Sequence, residues 1–277
     1  MKRTIIWIIA VILTFAIAYY QRVTGPTYPK KDKIVLDGKE YKFQYPRSHT
    51  TGTDAVIKIY MPDTLVYGFV YQRIYPLNTG YTILKLRRLG DTLIGIITTL
   101  PPAGKMQYYV ELYKGKDTIY TRADNPVIIR FKGHVPAWIL IPHIFFMFFA
   151  LLFGVAAGLL AIFNDLSYRK IQWWAFILLI IGGFIFGPTV QHYAFGQWWT
   201  GIPFGWDLTD NKTLLIFLGW LAAILANRNQ ARRWWTVGAT VFMLLIYLIP
   251  HSLFGSTYDP TTGKVISGMI TSLISLL

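Results

Sequence analysis

Residues 135–163 read VPAWILIPHIFFMFFALLFGVAAGLLAIF, twenty-nine positions without one Asp, Glu, Lys or Arg. A helix rises about 1.5 Å per residue and the hydrocarbon core of a bilayer is about 30 Å thick. Roughly 20 apolar residues therefore suffice to cross it. Working outward, the apolar runs Ile171–Val190, Thr213–Ala226 and Trp234–Ile249 follow, and Ile5–Tyr20 lies far upstream. Thr213–Ala226 reaches spanning length if its helix starts near Asp210. Trp234–Ile249 is short, and Trp234 and Trp235 would hold it at the interface. About five transmembrane helices are expected.

The composition agrees. The 277 residues are 54% hydrophobic and only 14% charged, against about 25% charged in an ordinary soluble domain. That excludes a soluble cytosolic enzyme and a disordered chain. The absence of cysteine excludes a disulfide framework, a thiolate metal site and a cysteine nucleophile.

The first run follows Lys2 and Arg3 and ends near Ala16-Ile17-Ala18. It reads either as an anchor helix over residues 1–20 or as a secretory signal with a small-residue cleavage site. Both readings send the next segment across the membrane. Positive charge sets the orientation. Lys2, Arg3, Arg169, Lys170, Arg228, Arg232 and Arg233 fall at one set of helix ends, against Lys212 and Lys264 at the other. The positive-inside rule then puts the amino terminus in the cytoplasm of a bacterial inner membrane. Residues 21–134 and the carboxyl terminus come out extracytoplasmic.

Residues 21–133 read as β structure. Lys33–Leu36 and Glu40–Tyr45 flank Asp37-Gly38, a strong hairpin signal. Ala55–Tyr60, Leu65–Tyr75, Tyr81–Arg88, Thr92–Thr98, Met106–Tyr113, Thr118–Thr121 and Val127–Lys132 are further strands, separated by Gly-, Pro- and Asp-rich turns. Such spacing predicts a sandwich. The stretch Val66-Tyr67-Gly68-Phe69-Val70-Tyr71, then Leu89-Gly90-Asp91 and Pro102-Ala103-Gly104-Lys105-Met106-Gln107-Tyr108-Tyr109-Val110-Glu111-Leu112, resembles bacterial fibronectin type III-like or immunoglobulin-like domains. The resemblance covers roughly residues 54–133. It implies an all-β sandwich inserted after the first helix of the α-helical membrane bundle. It implies no chemistry, because that fold hosts many functions.

Eighteen Lys and Arg against nine Asp and Glu give residues 21–133 a charge of +9. Such a surface attracts anionic headgroups or an acidic partner, or simply keeps the domain soluble. Nucleic acid is not expected in that compartment.

Within the membrane portion, residues 135–250, polar side chains carry the information. His143, His192 and His251 fall near the outer face, with Asp207 and Asp210 opening the helix that contains Lys212. Imidazole with carboxylate suits zinc, copper or iron, and two facing imidazoles suit haem. The same residues also have plain structural roles. Asp207-Leu208-Thr209-Asp210 can cap a helix, and Lys212, opposing the dipole of its own helix, calls for a partner such as Asp207 or Asp210. The aromatic- and glycine-rich stretch 191–211 is expected to form a folded cap, of a kind that could roof a lipid- or quinone-sized pocket. Gly154-x-x-x-Gly158 and Gly183-x-x-x-Gly187 let helices approach closely, within the bundle or in a homo-oligomer. Val265–Leu277, in the tail 251–277, has the period of an amphipathic helix.

There is no phosphate-binding loop, dinucleotide fingerprint or Gly-x-Ser-x-Gly elbow, and no catalytic residue is expected. A carrier or channel is the weakest expectation, since there are no inverted repeats and few mid-membrane charges; two functions lead. One is an envelope scaffold whose β domain binds a membrane or periplasmic protein. The other is a redox or metal-binding membrane subunit using His143, His192, His251, Asp207 and Asp210.

Overall fold

The computed structural model describes residues 2–250 and 255–266. They form two compact units. A helical unit is drawn from Met1–Pro26 and Val135–Gly255, and a β unit from Thr27–His134 and Ser256–Ile266.

The helical unit contains α1 (Lys2–Thr24), α2 (Ala137–Ile162), α3 (Tyr168–Ile180), a π-helical segment (Ile181–Phe186), α4 (Gly187–Phe195), α5 (Leu208–Ala226) and α6 (Arg233–Leu248). Arg3–Thr24, Ala137–Ile162, Tyr168–Phe195 and Leu208–Ala226 are long and apolar enough to cross a membrane. Helix α6 is apolar but shorter. Glycines set the helix crossings. A Cβ on Gly158 would meet Thr240 Oγ1 at 2.5 Å, and one on Gly154 would meet Met243 Cε at 2.7 Å. The face of α2 that carries these glycines is therefore filled by α6 of the same chain. Thr240 Oγ1 also reaches the Gly154 carbonyl at 3.0 Å.

A buried polar network joins α3, α5 and α6 near one end. Tyr168 donates to Asn227 Oδ1 (2.8 Å), and Asn227 Nδ2 donates to the Ala223 carbonyl (2.8 Å) and to Thr236 Oγ1 (3.2 Å). Thr236 in turn donates to Gln172 Oε1 at 2.7 Å. Buried polar groups need such partners. Arg3 grips Asp165 through Nε at 2.5 Å and a second nitrogen at 2.9 Å. The ends of α1, α2 and α3, and the α5–α6 link, thus meet on one side, which bears Arg3, Arg169, Lys170, Arg228, Arg232 and Arg233.

The β unit begins with β1 (Lys30–Leu36) and β2 (Lys39–Tyr45), a separate antiparallel hairpin. Asp37 and Gly38 both have positive φ, 50° and 74°, as a type I′ turn requires. Strands β3 (Ser48–Thr50), β11 (Val127–Lys132), β9 (Lys105–Lys114), β5 (Val66–Tyr75) and β6 (Thr82–Lys85) pair in that order, and β10 (Asp117–Thr121) also pairs with β9. A second sheet runs β4 (Ala55–Tyr60), β8 (Thr92–Ile97), β7 (Arg87–Leu89). Ile57, Ile59, Leu93 and Ile97 of one sheet share a core with Val70, Val110, Leu112 and Ile129 of the other. The hairpin is tied down by Asp32, which accepts from Arg122 and from Tyr120 at 2.8 Å. Burial first, and then contact with Asp32, pushes the Tyr120 phenol up to about 12. Strands β12 (Thr257–Asp259) and β13 (Lys264–Ile266) form a last hairpin.

The fold class expected from sequence is corrected here. The strands do not make an all-antiparallel immunoglobulin-like sandwich inserted into a five-span bundle. They follow α1 as mixed sheets, with β11 and β3 parallel and β1–β2 outside both main sheets. The helices that follow include three of spanning length, with a shorter α6. Alternating apolar residues mark strands and their inward faces, but they do not say which strand lies beside which. The pairing of β3 with β11 joins segments nearly eighty residues apart by about three residues each, and no local pattern announces it. In the tail, Lys264–Ile266 is a strand rather than the start of a helix. Residues 267–277 lie outside the described residues.

Candidate functional site

The residues singled out in the helical unit each have a definite placement. His143 projects from α2 onto the π segment, its Nδ1 2.9 Å from the Gly182 carbonyl. That oxygen also accepts the N–H of Gly187, five residues on. A carbonyl can only accept, so the proton of the His143 bond sits on Nδ1. His192, in α4, stacks on Trp198 at 4.2 Å and 9° between rings. Its buried Nδ1 has no hydrogen-bond partner among the described residues. Asp207 caps α5, accepting the Thr209 N–H at 2.8 Å. Asp210, buried, accepts the Thr200 N–H at 2.7 Å and the Thr200 hydroxyl at 3.1 Å. Among the described residues, no three His, Asp or Glu side chains gather where they could hold a metal ion. His251 lies outside the described residues.

Lys212 pairs with neither aspartate. Its Nζ donates to the Ile249 carbonyl at 2.5 Å. Gln21 also reaches that carbonyl, at 2.9 Å, along with the Tyr247 carbonyl, and Tyr20 reaches that of Leu248 at 3.1 Å. The last carbonyls of a helix have no partners within it. Here α1 and α5 supply them for α6. Lys212 is unfavourable to the dipole of its own helix and favourable to that of its antiparallel neighbour.

Residues 196–207 fold into a cap over the start of α5. Gln191 donates to Thr200 Oγ1 at 2.5 Å, Asp207 N to the Thr200 carbonyl at 2.9 Å, and Ile202 N to Asn211 Oδ1 at 2.8 Å. Trp199 stacks on Phe184. A Cβ on Gly201 would meet that of Asp210 at 2.7 Å, so only glycine permits this close approach. The side chains placed here serve backbone closure, and Phe204, Trp206 and Trp198 remain exposed.

The second candidate lies in the β unit, and sequence reasoning overlooked it. Strand β5 alternates strictly. Val66, Gly68, Val70 and Gln72 face inward, while Tyr67, Phe69, Tyr71 and Arg73 face outward. The register places Tyr67 beside Tyr113, Tyr71 beside Tyr109, and Arg73 beside Gln107, with Ile83 of β6 flanking Tyr71. Tyr71 and Tyr109 stack at 4.7 Å, nearly coplanar at 2°. Tyr67 and Tyr113 stack at 5.6 Å. Tyr81 meets Tyr109 edge-on and lies under Arg73, whose guanidinium is 4.6 Å from its ring. Glu111 accepts from the hydroxyls of Tyr113 and of Thr121, the latter at 3.0 Å. Its hydrogen bond raises the Tyr113 phenol above the usual range. At the other end of the same face, Lys105 donates to Thr257 Oγ1 (2.5 Å) and Arg130 to the Ser256 carbonyl (2.5 Å). The β12–β13 hairpin thus covers that end and leaves the aromatic end open, with Tyr67 38% and Ile83 54% exposed. The signal was present in sequence, since aromatics occupy every second position of Tyr67–Tyr71, where a solvated face carries polar residues.

No protein-family model, curated protein or solved structure matches the chain. The fibronectin-like resemblance therefore gains no support from relatives.

Proposed function

We propose that this is an integral membrane protein that anchors a binding module, and that the module holds an acidic protein partner on the open aromatic end of its main sheet. The observation that carries the reading is the outward row of Tyr67, Phe69, Tyr71, Tyr113 and Ile83, backed by Tyr109, which is buried against Tyr71 and Tyr81. Aromatic residues and arginine dominate binding hot spots, because they bury large area with few rotors to freeze. The cross-strand pairs pack their rings against one another, so the face is already ordered before a partner arrives. Glu111 is spent on internal hydrogen bonds. Arg73 donates to the neutral Gln107 and Asn78, which fix it without cancelling its charge, and residues 21–133 carry an excess of nine positive charges. That balance favours an acidic partner and speeds its encounter. The apolar helices and the collection of cations at one end of the helical unit support membrane insertion, with those cations cytoplasmic and the β unit outside an inner membrane.

Photo-crosslinking side chains placed at Tyr67 and at Ile83, in the full chain in native membranes, test this. Both positions are expected to trap one and the same acidic protein, and a probe at Lys39 on the β1–β2 turn is expected not to. Adducts identical at all three positions, or none at Tyr67 and Ile83, would refute the reading.

A further inference from the structure

A groove of about 600 Å³ opens on the basic side of the helical unit, between the start of α3 and the end of α5. Its lining combines two chemistries, the cations Arg169, Lys170 and Arg228 and the apolar Leu166, Ile224, Leu225 and Trp173. Among the described residues, no Asp or Glu lines it. Asp165, on the α2–α3 link, is already committed to Arg3, whose hydrogen bond holds that carboxyl down at about 2. Arg169 donates to the carbonyls of Asn227 (2.7 Å) and Arg228 (3.2 Å). Those bonds fix the guanidinium and pin α3 to the α5–α6 link without neutralising the charge. The described residues offer the side chains of Lys170 and Arg228 no hydrogen-bond or ion-pair partner. Three cations, with no acidic residue beside them among the described lining residues, thus share the groove with apolar side chains.

We infer that this groove seats an anionic phospholipid, with its phosphate among Arg169, Lys170 and Arg228 and its acyl chains along Ile224, Leu225 and Trp173. Such a ligand supplies negative charge and hydrocarbon together, matching both kinds of lining residue. A free phosphate would satisfy only one. Basic recesses between helices on the cytoplasmic side are suited to anionic headgroups, because low-dielectric walls strengthen the attraction. The floor is rigid, because the Tyr168–Asn227–Thr236–Gln172 network lies behind it. The headgroup would therefore meet a prearranged site. The inference rests on the membrane reading above and is independent of the partner proposed for the β unit.

The test uses the full chain, extracted from membranes and reconstituted in phosphatidylcholine nanodiscs doped with phosphatidylglycerol. Lipid retained through mild detergent exchange is then counted by native mass spectrometry. Wild type is expected to retain phosphatidylglycerol over phosphatidylcholine by about tenfold. The double variant K170Q/R228Q changes only exposed side chains, and its preference should fall to near unity with the melting temperature unchanged. R232Q/R233Q removes equal charge outside the groove and should keep the preference. Equal retention of the two lipids by wild type, undiminished preference in K170Q/R228Q, or equal loss in R232Q/R233Q would each overturn the groove as the site. Inorganic phosphate displacing the lipid completely at millimolar concentration would also overturn it, by showing a phosphate site without a chain site. Release of the chain from membranes by carbonate would instead overturn the membrane reading itself.

Discussion

Asp210 accepts two hydrogen bonds from Thr200 deep beside the first turn of α5, so its loss leaves a buried N–H without an acceptor. Asp210→Ala should cost about 1–3 kcal/mol, and the 196–207 cap should become the first site of protease cleavage. Unchanged proteolysis would show that the cap is held by Asn211 and Gln191 instead. Asp165 offers a pH test. Its hydrogen bond to Arg3 depresses the folded-state pKa from 3.8 to about 2. A depressed carboxyl contributes stability that is present above the unfolded pKa and is lost as pH falls through the folded one. Wild type should therefore exceed Arg3→Gln in stability above about pH 4, and the two should converge toward pH 2. Denaturation midpoints of both across that range measure it. Because the Arg3 side chain is largely exposed, solvent screening keeps the gap small. A gap that persisted at pH 2 would mean that Arg3 acts by packing.

At the scale of elements, the α2–α6 crossing and a neighbouring glycine predict opposite outcomes for similar changes. A side chain on Gly158 runs into Thr240 at 2.5 Å. Gly158→Leu should therefore force the helices apart and cost about 1–3 kcal/mol or more. Gly238, on α6, has nothing within 4 Å of its would-be Cβ. Gly238→Ala should be neutral or add up to about 1 kcal/mol through helix propensity. Thermal unfolding of the two variants in one detergent compares them directly. If both were destabilised alike, glycine at these sites would not be a matter of helix contact. Lys212 belongs to this scale too, since it stabilises a helix other than its own. Lys212→Met should leave α5 intact and speed hydrogen exchange at the carboxyl end of α6.

At the scale of the whole molecule, the β unit is closed by residues that come after α6. Arg130 is 7% exposed and donates to the Ser256 carbonyl, and Tyr258 N reaches the Ala103 carbonyl at 3.0 Å. A chain ending at Gly255 loses these partners and uncovers Lys105 and Arg130. Its β unit should lose about 3–7 kcal/mol, from three hydrogen bonds, two of them donated by the charged Lys105 and Arg130. Urea unfolding followed through the β-unit tyrosines reads this. An unchanged midpoint would make the last hairpin a passive appendage.

Much was determined by the sequence alone. Uninterrupted apolar length marks the helices, because backbone polar groups in hydrocarbon must be satisfied within the segment. Period-two alternation marks the strands, and Asp37-Gly38 marks its turn, because only certain residues take positive φ at low cost. That residues 196–207 turn was legible from Gly196, Gly201, Pro203 and Gly205, but the expected cap over 191–211 was too long, because α4 runs on to Phe195 and α5 begins at Leu208. Partnership was not. Whether Lys212 meets an aspartate or the end of another helix, whether His143 meets a ligand or a π-helical carbonyl, and whether β3 meets β11 all depend on segments far apart in sequence. The aromatic row was written plainly in Tyr67–Tyr71, but its meaning required β9 and β6 on either side and the β12–β13 hairpin covering only one end. Local forces act within a few residues and leave a periodic trace in the sequence. Packing, register and the supply of hydrogen-bond partners are set by which surfaces finally meet, and only the tertiary structure decides that.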